Sequence, residues 1–268
     1  TFSSRGLGDV YKRQIIDIRD NSSSEIVNKV KSLGIQIYWN HTIVNTKGYK
    51  RINKVTIMKL NDKGNDVIGK KIDLNCDCLA ISGGWTPMVH LFTQSGGKLR
   101  FDNKDNIFVP DKTNLNQLSI GSAKGDFELD DVLKNSIKDT KKFLQIENSN
   151  FDKIDVKCSK EKEKKNIWLL PSDKPLSKTK PFLDYQNDST AKDIKLALRE
   201  GFKSIEHVKR YTTTGMGTDQ GKLANMHALG IVADTTNTNM GDLGTTTFRP
   251  PYTPCLLYTS DAADDANC

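Results

Sequence analysis

No stretch of this 268-residue chain approaches the 18 or more consecutive apolar residues of a membrane span, and the mean hydropathy is −0.56. That excludes a helical integral membrane protein. Five cysteines in 268 residues are too few for a disulfide scaffold. No G-x-G-x-x-G follows an apolar run, and there is no P-loop pattern, so the usual phosphate fingerprint is missing. The four histidines (His41, His90, His207, His227) show no H-x-x-x-H spacing, and there is no G-x-S-x-G. Such scattered histidines read as capping or surface residues. Arginine supplies only eight of the 40 basic residues. The bases are not interleaved with aromatics, which argues against nucleic-acid binding. The sequence exposes no self-contained catalytic site, and no metal set is expected.

The two ends differ in character from the rest. Residues 1–14 (TFSSRGLGDVYKRQ) lack clear periodicity, and 255–268 (CLLYTSDAADDANC) carry three acids and no base. Both resemble translated sequencing-adapter read-through and are set aside from fold reasoning. Cys76, Cys78 and Cys158 then remain. Without the three bases and four acids of the ends, 40 bases fall to 37 and 33 acids to 29, a net charge of +8. This reads as a solvated, Lys-rich surface whose field can attract anions. Free thiols fit a cytoplasmic protein.

Within the remainder, the pattern predicts an α/β start. IIDIRD (15–20) reads as a buried strand, Asn21 to Ser24 as helix-cap residues, and Glu25 to Leu33 as a helix stopped by Gly34. Ile35 to Trp39 reads as the next strand, so the unit implies parallel pairing. Thr42–Asn45 and Arg51–Leu60 alternate as an antiparallel meander with a turn at Lys47-Gly48, and Val67–Asp73 extends it. Cys76 and Cys78, two apart on a strand, share a face and read as packed.

Asp77–Ile81 (DCLAI) is predicted as an apolar strand running into Ser82-Gly83-Gly84-Trp85-Thr86-Pro87. A helix from Met88 to Gln94 follows, and Asn106–Pro110 is a strand. Leu118–Ile120 is another, running into Gly121-Ser122-Ala123-Lys124-Gly125, ahead of a helix over 129–144. Ligands of open α/β sheets sit beyond the carboxyl ends of strands, where glycine lets backbone approach closely. Gly83, Gly84, Gly121 and Ser122 are therefore candidate cofactor-binding residues. Ordinary glycine turns would look the same.

Residues 146–179 read as a polar, Lys-rich linker, with IWLL-PSDKP extended over a neighbouring surface. From Lys180 a compact helical block is predicted, with helices over 190–200, 204–211 and 221–232.

Residues 77–101 (DCLAISGGWTPMVHLFTQSGGKLRF) resemble the alpha subunit of heterotetrameric sarcosine oxidase. So do DYQNDSTAKDIKLALREGF and EHVKRYTTTGMGTDQGK within 181–233, and GTTTFRPPYTP at 244–254. The likeness covers about 240 residues and implies a subdivision. Residues 15–145 would be the C-terminal part of a flavin/nicotinamide-type dinucleotide-binding domain of the pyridine-nucleotide-disulfide-oxidoreductase kind. Residues 180–235 would be the helical middle domain, and 244–254 the entry to a folate-binding aminomethyltransferase-like domain. The family oxidises sarcosine to glycine, passes the one-carbon unit to tetrahydrofolate and forms hydrogen peroxide.

The implied cofactors are NAD, FAD and FMN (the flavins mainly on or shared with a partner subunit), with tetrahydrofolate bound outside this stretch. The implied partners are beta, gamma and delta subunits and a small-molecule substrate. Family NAD contacts map to Gly121, Ser122, Phe127 and Leu129. Gly83 and Gly84 rest on their position after a strand. The helical block also resembles bacterioferritin-associated ferredoxin, a small all-α [2Fe–2S] domain. Its cysteine positions correspond to Asp184, Gln186, Asp219 and Ala224, so the fold is expected without Cys ligands or cluster. The alternatives are a dinucleotide-binding subunit of another amine or imino-acid dehydrogenase, or a non-catalytic docking subunit.

Overall fold

The computed structural model describes residues 14–21, 24–146, 156 and 166–248. They form two compact units. One holds 14–81 and 166–173, the other 82–146, 156 and 174–248. The division at residue 81 falls inside the stretch 15–145 that reads from sequence as one domain.

In the first unit, β1 (Gln14–Asp17) and β2 (Gln36–Trp39) pair in parallel through α1 (Glu25–Ser32), as the pattern requires. Ser24 is the N-cap and its side chain accepts the Val27 N–H at 3.4 Å. Gly34 ends the helix at φ +71°. The expected meander follows as β3 (His41–Gly48), β4 (Ile52–Leu60) and β5 (Val67–Asn75), all antiparallel.

The reversal between β3 and β4 spans residues 49–51, just beyond the expected Lys47-Gly48. At Gly48 (φ +150°) a Cβ would collide with the Arg51 carbonyl, so the backbone closes on itself there. Four consecutive residues of β4, Val55 to Met58, are buried, so both of its faces are covered. Ile57 and Leu60 have no exposed surface. Full burial of each contributes about 1.5–3 kcal/mol of transfer free energy. The 166–173 stretch does lie over this sheet. The Ser172 hydroxyl donates to the Val44 carbonyl at 3.5 Å, and Lys71 pairs with Asp173.

The second unit contains α2 (His90–Gln94), then the hairpin of β6 (Lys98–Asp102) and β7 (Ile107–Lys112). Phe101 and Phe108 pair across it with centroids 4.9 Å apart. A 3-10 turn at Gly121–Ala123 precedes α3 (Leu129–Leu144). A short antiparallel pair, β8 (Phe182–Asp184) and β9 (Ser189–Thr190), leads into α4 (Ala191–Arg199). Asp193 caps α4, its Oδ2 accepting both the N–H and the hydroxyl of Thr190 at 2.8 and 2.7 Å. Then come α5 (Ile205–Thr212), α6 (Asn225–Thr236) and α7 (Met240–Leu243).

The core of this helical part is α6. Its residues Ala228 to Ala233 are buried without a break, and Ala191, Ile194 and Ala197 of α4 and Ile205 and Val208 of α5 are buried as well. An all-round apolar helix is the one the others surround.

Two expected strands are not formed. Residues 77–81 and 118–120 are irregular in the structure. Ile81 is 74 % exposed, and Leu118 and Ile120 are also exposed. Both runs are apolar and Ile120 is extended, but among the described residues neither has a strand beside it to complete a ladder. Sequence reading also overlooked β6, although Leu99 and Phe101 alternate with polar neighbours ahead of a D-N-K-D-N turn.

Candidate functional site

The loop 82–89 and the loop 121–128 come together within the second unit. A Cβ on Gly125 (φ +107°) would lie 3.9 Å from Pro87 Cγ and 2.9 Å from Val109 Cγ1. A Cβ on Gly83 would lie 3.6 Å from Nε2 of His227, in the first turn of α6. Gly84 has φ +108°, open space around it and an exposed surface. Gly121 is buried at φ +61°, where a Cβ would stand 3.5 Å from Val132 Cγ1 and 3.8 Å from Ser136 Oγ. Its backbone therefore lies directly on α3. Ser122 and Leu129 are exposed, and Phe127 is half-buried.

This second loop is firmly tied. The N–H groups of Lys124 and Asp126 both donate to the Gly121 carbonyl, at 2.9 and 3.2 Å. Asn135 Nδ2 donates to Asp126 Oδ1 at 3.0 Å, and Lys124 pairs with Asp139 of α3. The opening turn of α3 is acidic: Glu128 is the N-cap, followed by Asp130 and Asp131. Carboxylates there satisfy the helix dipole themselves and repel a phosphate. The loop thus suits hydroxyl and ring contacts better than a pyrophosphate.

The 82–89 loop also forms one wall of a half-open cleft enclosing about 540 Å³ of non-atom space, part of it open to solvent. Phe108, Ile205, Met226, Leu229 and Phe248 supply apolar surface, with Lys222, Asn225 and Thr246 among the polar lining. His90 lies in this wall, only 4 % exposed, its ring 3.9 Å from that of Phe248. Burial, reinforced by the positive charge of Lys222, pushes the His90 pKa down to about 4, so the imidazole is neutral near pH 7.

Phe248 is held in place by its neighbours. Glu206 accepts the Thr247 N–H, and Lys209 Nζ donates to the Thr247 carbonyl at 3.4 Å. Burial alone would raise the Glu206 carboxyl; the Thr247 N–H, with Lys209 and Arg210, outweighs it and holds the group below its ordinary value.

The far side of the cleft is a tight turn. Gly215 and Gly221 both have φ +73°, and a Cβ on either would land on the Asn225 side-chain amide. Asn225 Nδ2 in turn donates to the Gln220 carbonyl at 3.4 Å.

The four positions matched to ferredoxin cysteines do different work here. Asp184 is buried and its carboxylate accepts N–H groups from Gln186 (2.9 Å), Asn187 (3.1 Å) and Gly215 (2.8 Å). Burial pushes its pKa up, but these donors prevail and hold it below the usual carboxylate range. Gln186 and Thr218 exchange side-chain hydrogen bonds at 2.7 and 3.0 Å. Asp219 Oδ1 accepts the Gly221 N–H at 3.1 Å, and Ala224 is the buried N-cap of α6. Among the described residues, no group of three or more His, Cys, Asp or Glu gathers as a metal ion would require.

Cys76 and Cys78 lie past the end of β5, not on a shared strand face. Cys76 is half-buried and Cys78 exposed. Burial, with the neighbouring Asp77 and Cys78, raises the Cys76 thiol pKa, the opposite of an activated nucleophile. Cys158 lies outside the described residues. Sequence reasoning overlooked His90, which it classed with surface histidines. The signal was its place inside the apolar run M-V-H-L-F.

Residues 178–264 match the family model of the sarcosine oxidase A3 domain. Over 255 residues the chain is 31 % identical to sarcosine oxidase subunit alpha of Corynebacterium sp. strain P-1, covering 90 % of this chain and 25 % of that protein. It is 33 % identical over 216 residues to sarcosine oxidase subunit alpha of Rhizobium meliloti strain 1021, covering 79 % and 21 %. The chain thus spans about a quarter of the length of these relatives. The crystal structure of L-proline dehydrogenase from P. horikoshii superposes with a TM-score of 0.54 at 16 % identity, over 91 % of this chain and 49 % of that one. At such identity the likeness is one of fold, a mixed α/β arrangement. Among the described residues, no helix is long and apolar enough to cross a membrane.

Proposed function

We propose that this chain is a segment of the alpha subunit of a heterotetrameric sarcosine oxidase, and that its glycine loops hold the sugar and ring portion of NAD. The relatives' similarity runs over nine-tenths of the chain and supports the first part. The convergence of the 82–89 and 121–128 loops, with Gly125 packed toward Pro87, carries the second. On this reading 15–145 is the C-terminal part of the dinucleotide-binding domain, 180–235 the helical middle domain, and 244–254 the entry to the folate-binding domain.

The residues present fit part of a dinucleotide. Gly83 and Gly84 offer exposed backbone, Gly84 with open space around it and Gly83 beside the His227 ring. Gly121 and Ser122 present a rigid turn, and Phe127 and Leu129 add apolar surface beside it. The carboxylates at the start of α3 are acceptors for ribose hydroxyls, and they disfavour the pyrophosphate. That group would be held by chain outside this segment.

NAD, when bound, supplies a nicotinamide ring able to carry hydride. The role of these residues is to bind and orient it. The helical block holds its shape through the Asp184 and Gln186 cross-links instead of a cluster. The whole oxidase would pair the subunit with beta, gamma and delta partners in the cytoplasm, with FAD and FMN on or shared with them. It would oxidise sarcosine to glycine, pass the one-carbon unit to tetrahydrofolate and produce hydrogen peroxide.

Calorimetric titration of NAD into the full-length subunit tests the cofactor assignment. Saturable heat is expected, and Gly121→Val, forced to adopt φ +61° against Val132, should weaken binding by about tenfold or more. No heat at millimolar NAD overturns the assignment and favours a docking subunit. The 268-residue chain alone should release no peroxide from sarcosine.

A further inference from the structure

The tip of the β3–β4 hairpin carries a positive charge that its own sheet does not answer. Residues 47–54 (KGYKRINK) hold four bases and no acid. Lys47 stands directly opposite Lys54 in the strand register. Like charges so placed destabilise a sheet. β5 relieves this in part: Asp73 accepts the Thr56 hydroxyl at 2.7 Å and pairs with Lys54 at 3.4 Å. Counting Asp77, two residues past the end of β5, four bases face two acids. Lys47, Lys50 and Arg51 are exposed and, among the described residues, form no ion pair. Between them lies Tyr49, 97 % exposed. The reversal is also closed tightly, the Gly48 backbone lying against the Arg51 carbonyl. The display is therefore fixed in advance, and a partner meeting it has little to order.

We propose that this hairpin tip docks an acidic segment of a partner protein, its carboxylates facing Lys47, Lys50 and Arg51 and an apolar side chain lying on Tyr49. Carboxylates supply the charge that the sheet lacks, and they relieve the opposition of Lys47 and Lys54. Tyrosine and arginine side by side are the residue types that dominate protein interfaces. A single strand of nucleic acid would use a row of stacking rings along a basic groove, and the tip has one ring. An anionic bilayer is recognised by basic clusters next to a membrane helix or on an amphipathic one, and this cluster sits on a β-hairpin. The inference uses none of the glycine-loop residues and stands apart from the NAD assignment.

The test uses the whole 268-residue chain and two labelled heptapeptides of one shape, followed by fluorescence anisotropy. One alternates Glu and Asp around a central Phe; the other carries Gln and Asn in their place. The acidic peptide should bind about tenfold or more tightly, and its affinity should fall as salt rises. Lys50→Glu with Arg51→Glu should erase that preference. Lys138→Glu with Lys142→Glu on α3, an equal change in net charge at exposed positions elsewhere, should keep it. Tyr49→Ser should weaken the acidic peptide about threefold or more. Lys47→Gln should weaken it without lowering the melting temperature, and circular dichroism confirms that each variant is folded. Equal affinity for the two peptides, the same loss in the α3 pair as in the tip pair, or a lower melting temperature with unchanged affinity in Lys47→Gln would each overturn the proposal. So would an oligothymidine strand or phosphatidylserine vesicles held more tightly than the acidic peptide and released by the tip pair, which would give the tip to nucleic acid or lipid instead. None of these outcomes bears on NAD binding.

Discussion

Four helices of this chain are comparably amphipathic in sequence, and they divide into two pairs. On α4 and α5 the apolar stripe is buried: Ile194 and Val208 have no exposed surface. On α1 and α3 no residue is buried, and Ile26 and Leu33 of α1 are 71 % and 68 % exposed. Periodicity states which face of a helix is apolar; it does not state whether anything lies against that face. The partner of α4 and α5 is α6, which is inside this chain. Among the described residues, Ile26 and Leu33 of α1 and the runs at 77–81 and 118–120 are left exposed, and α3 is only half covered, by the 121–126 loop against Val132 and Ser136. Our assignment of the chain as a segment of a longer subunit accounts for this.

The largest effect expected from this contrast is on α4. Ile194→Ala should cost about 2–5 kcal/mol, read as lost hydrogen-exchange protection of the α6 amides. A loss below about 1 kcal/mol would mean that α6 does not organise the helical core.

His90 comes next. Its folded pKa of about 4 lies below the unfolded value of 6.5, so the unfolded chain binds the proton more readily between the two. The contribution is fully present above pH 6.5 and is lost as pH falls from there toward 4, about 3 kcal/mol in all. Urea denaturation across that range should show the decline in the wild type and a flatter profile in His90→Phe.

Asp184→Ala should cost about 2–3 kcal/mol, because three N–H groups lose a charged acceptor. A thermal melt followed by circular dichroism reads it. Asp184→Asn should recover part of the loss, which separates hydrogen bonding from charge. The smallest effect is the counterpart of the first. Ile26→Ala on α1 should change stability by less than about 0.5 kcal/mol, since most of this side chain is already in contact with solvent. A loss comparable to that of Ile194→Ala would show that the α1 face is covered in solution.

The parts of this fold that were legible from the sequence are those whose partners lie close by in the chain. The β1–α1–β2 crossover needed only a cap at Ser24, a stop at Gly34 and two short apolar runs. The β3–β5 meander needed only alternation, and its first turn shifted by a few residues because Gly48 belongs to the end of β3. The strands expected at 77–81 and 118–120 failed for a different reason. A strand is a relation between two segments, and apolar composition specifies one of them.

The glycine loops were readable as turns, but their convergence was not, since Gly125 meets Pro87 only through tertiary packing. The cleft was less legible still. His90, Lys222, Thr246 and Phe248 come from distant parts of the chain and follow no spacing rule. The same is true of Asp184, whose grip on Gly215 joins residues 31 positions apart.

The Asn225 amide fills the space that a Cβ on Gly215 or Gly221 would need. The three residues therefore form one unit of inheritance. A lineage that enlarges either glycine must first shorten Asn225, and a shorter residue there opens the cleft wall it lines. Drift at the turn and drift in the shape of the cleft wall are thereby coupled, and change should come in concerted steps.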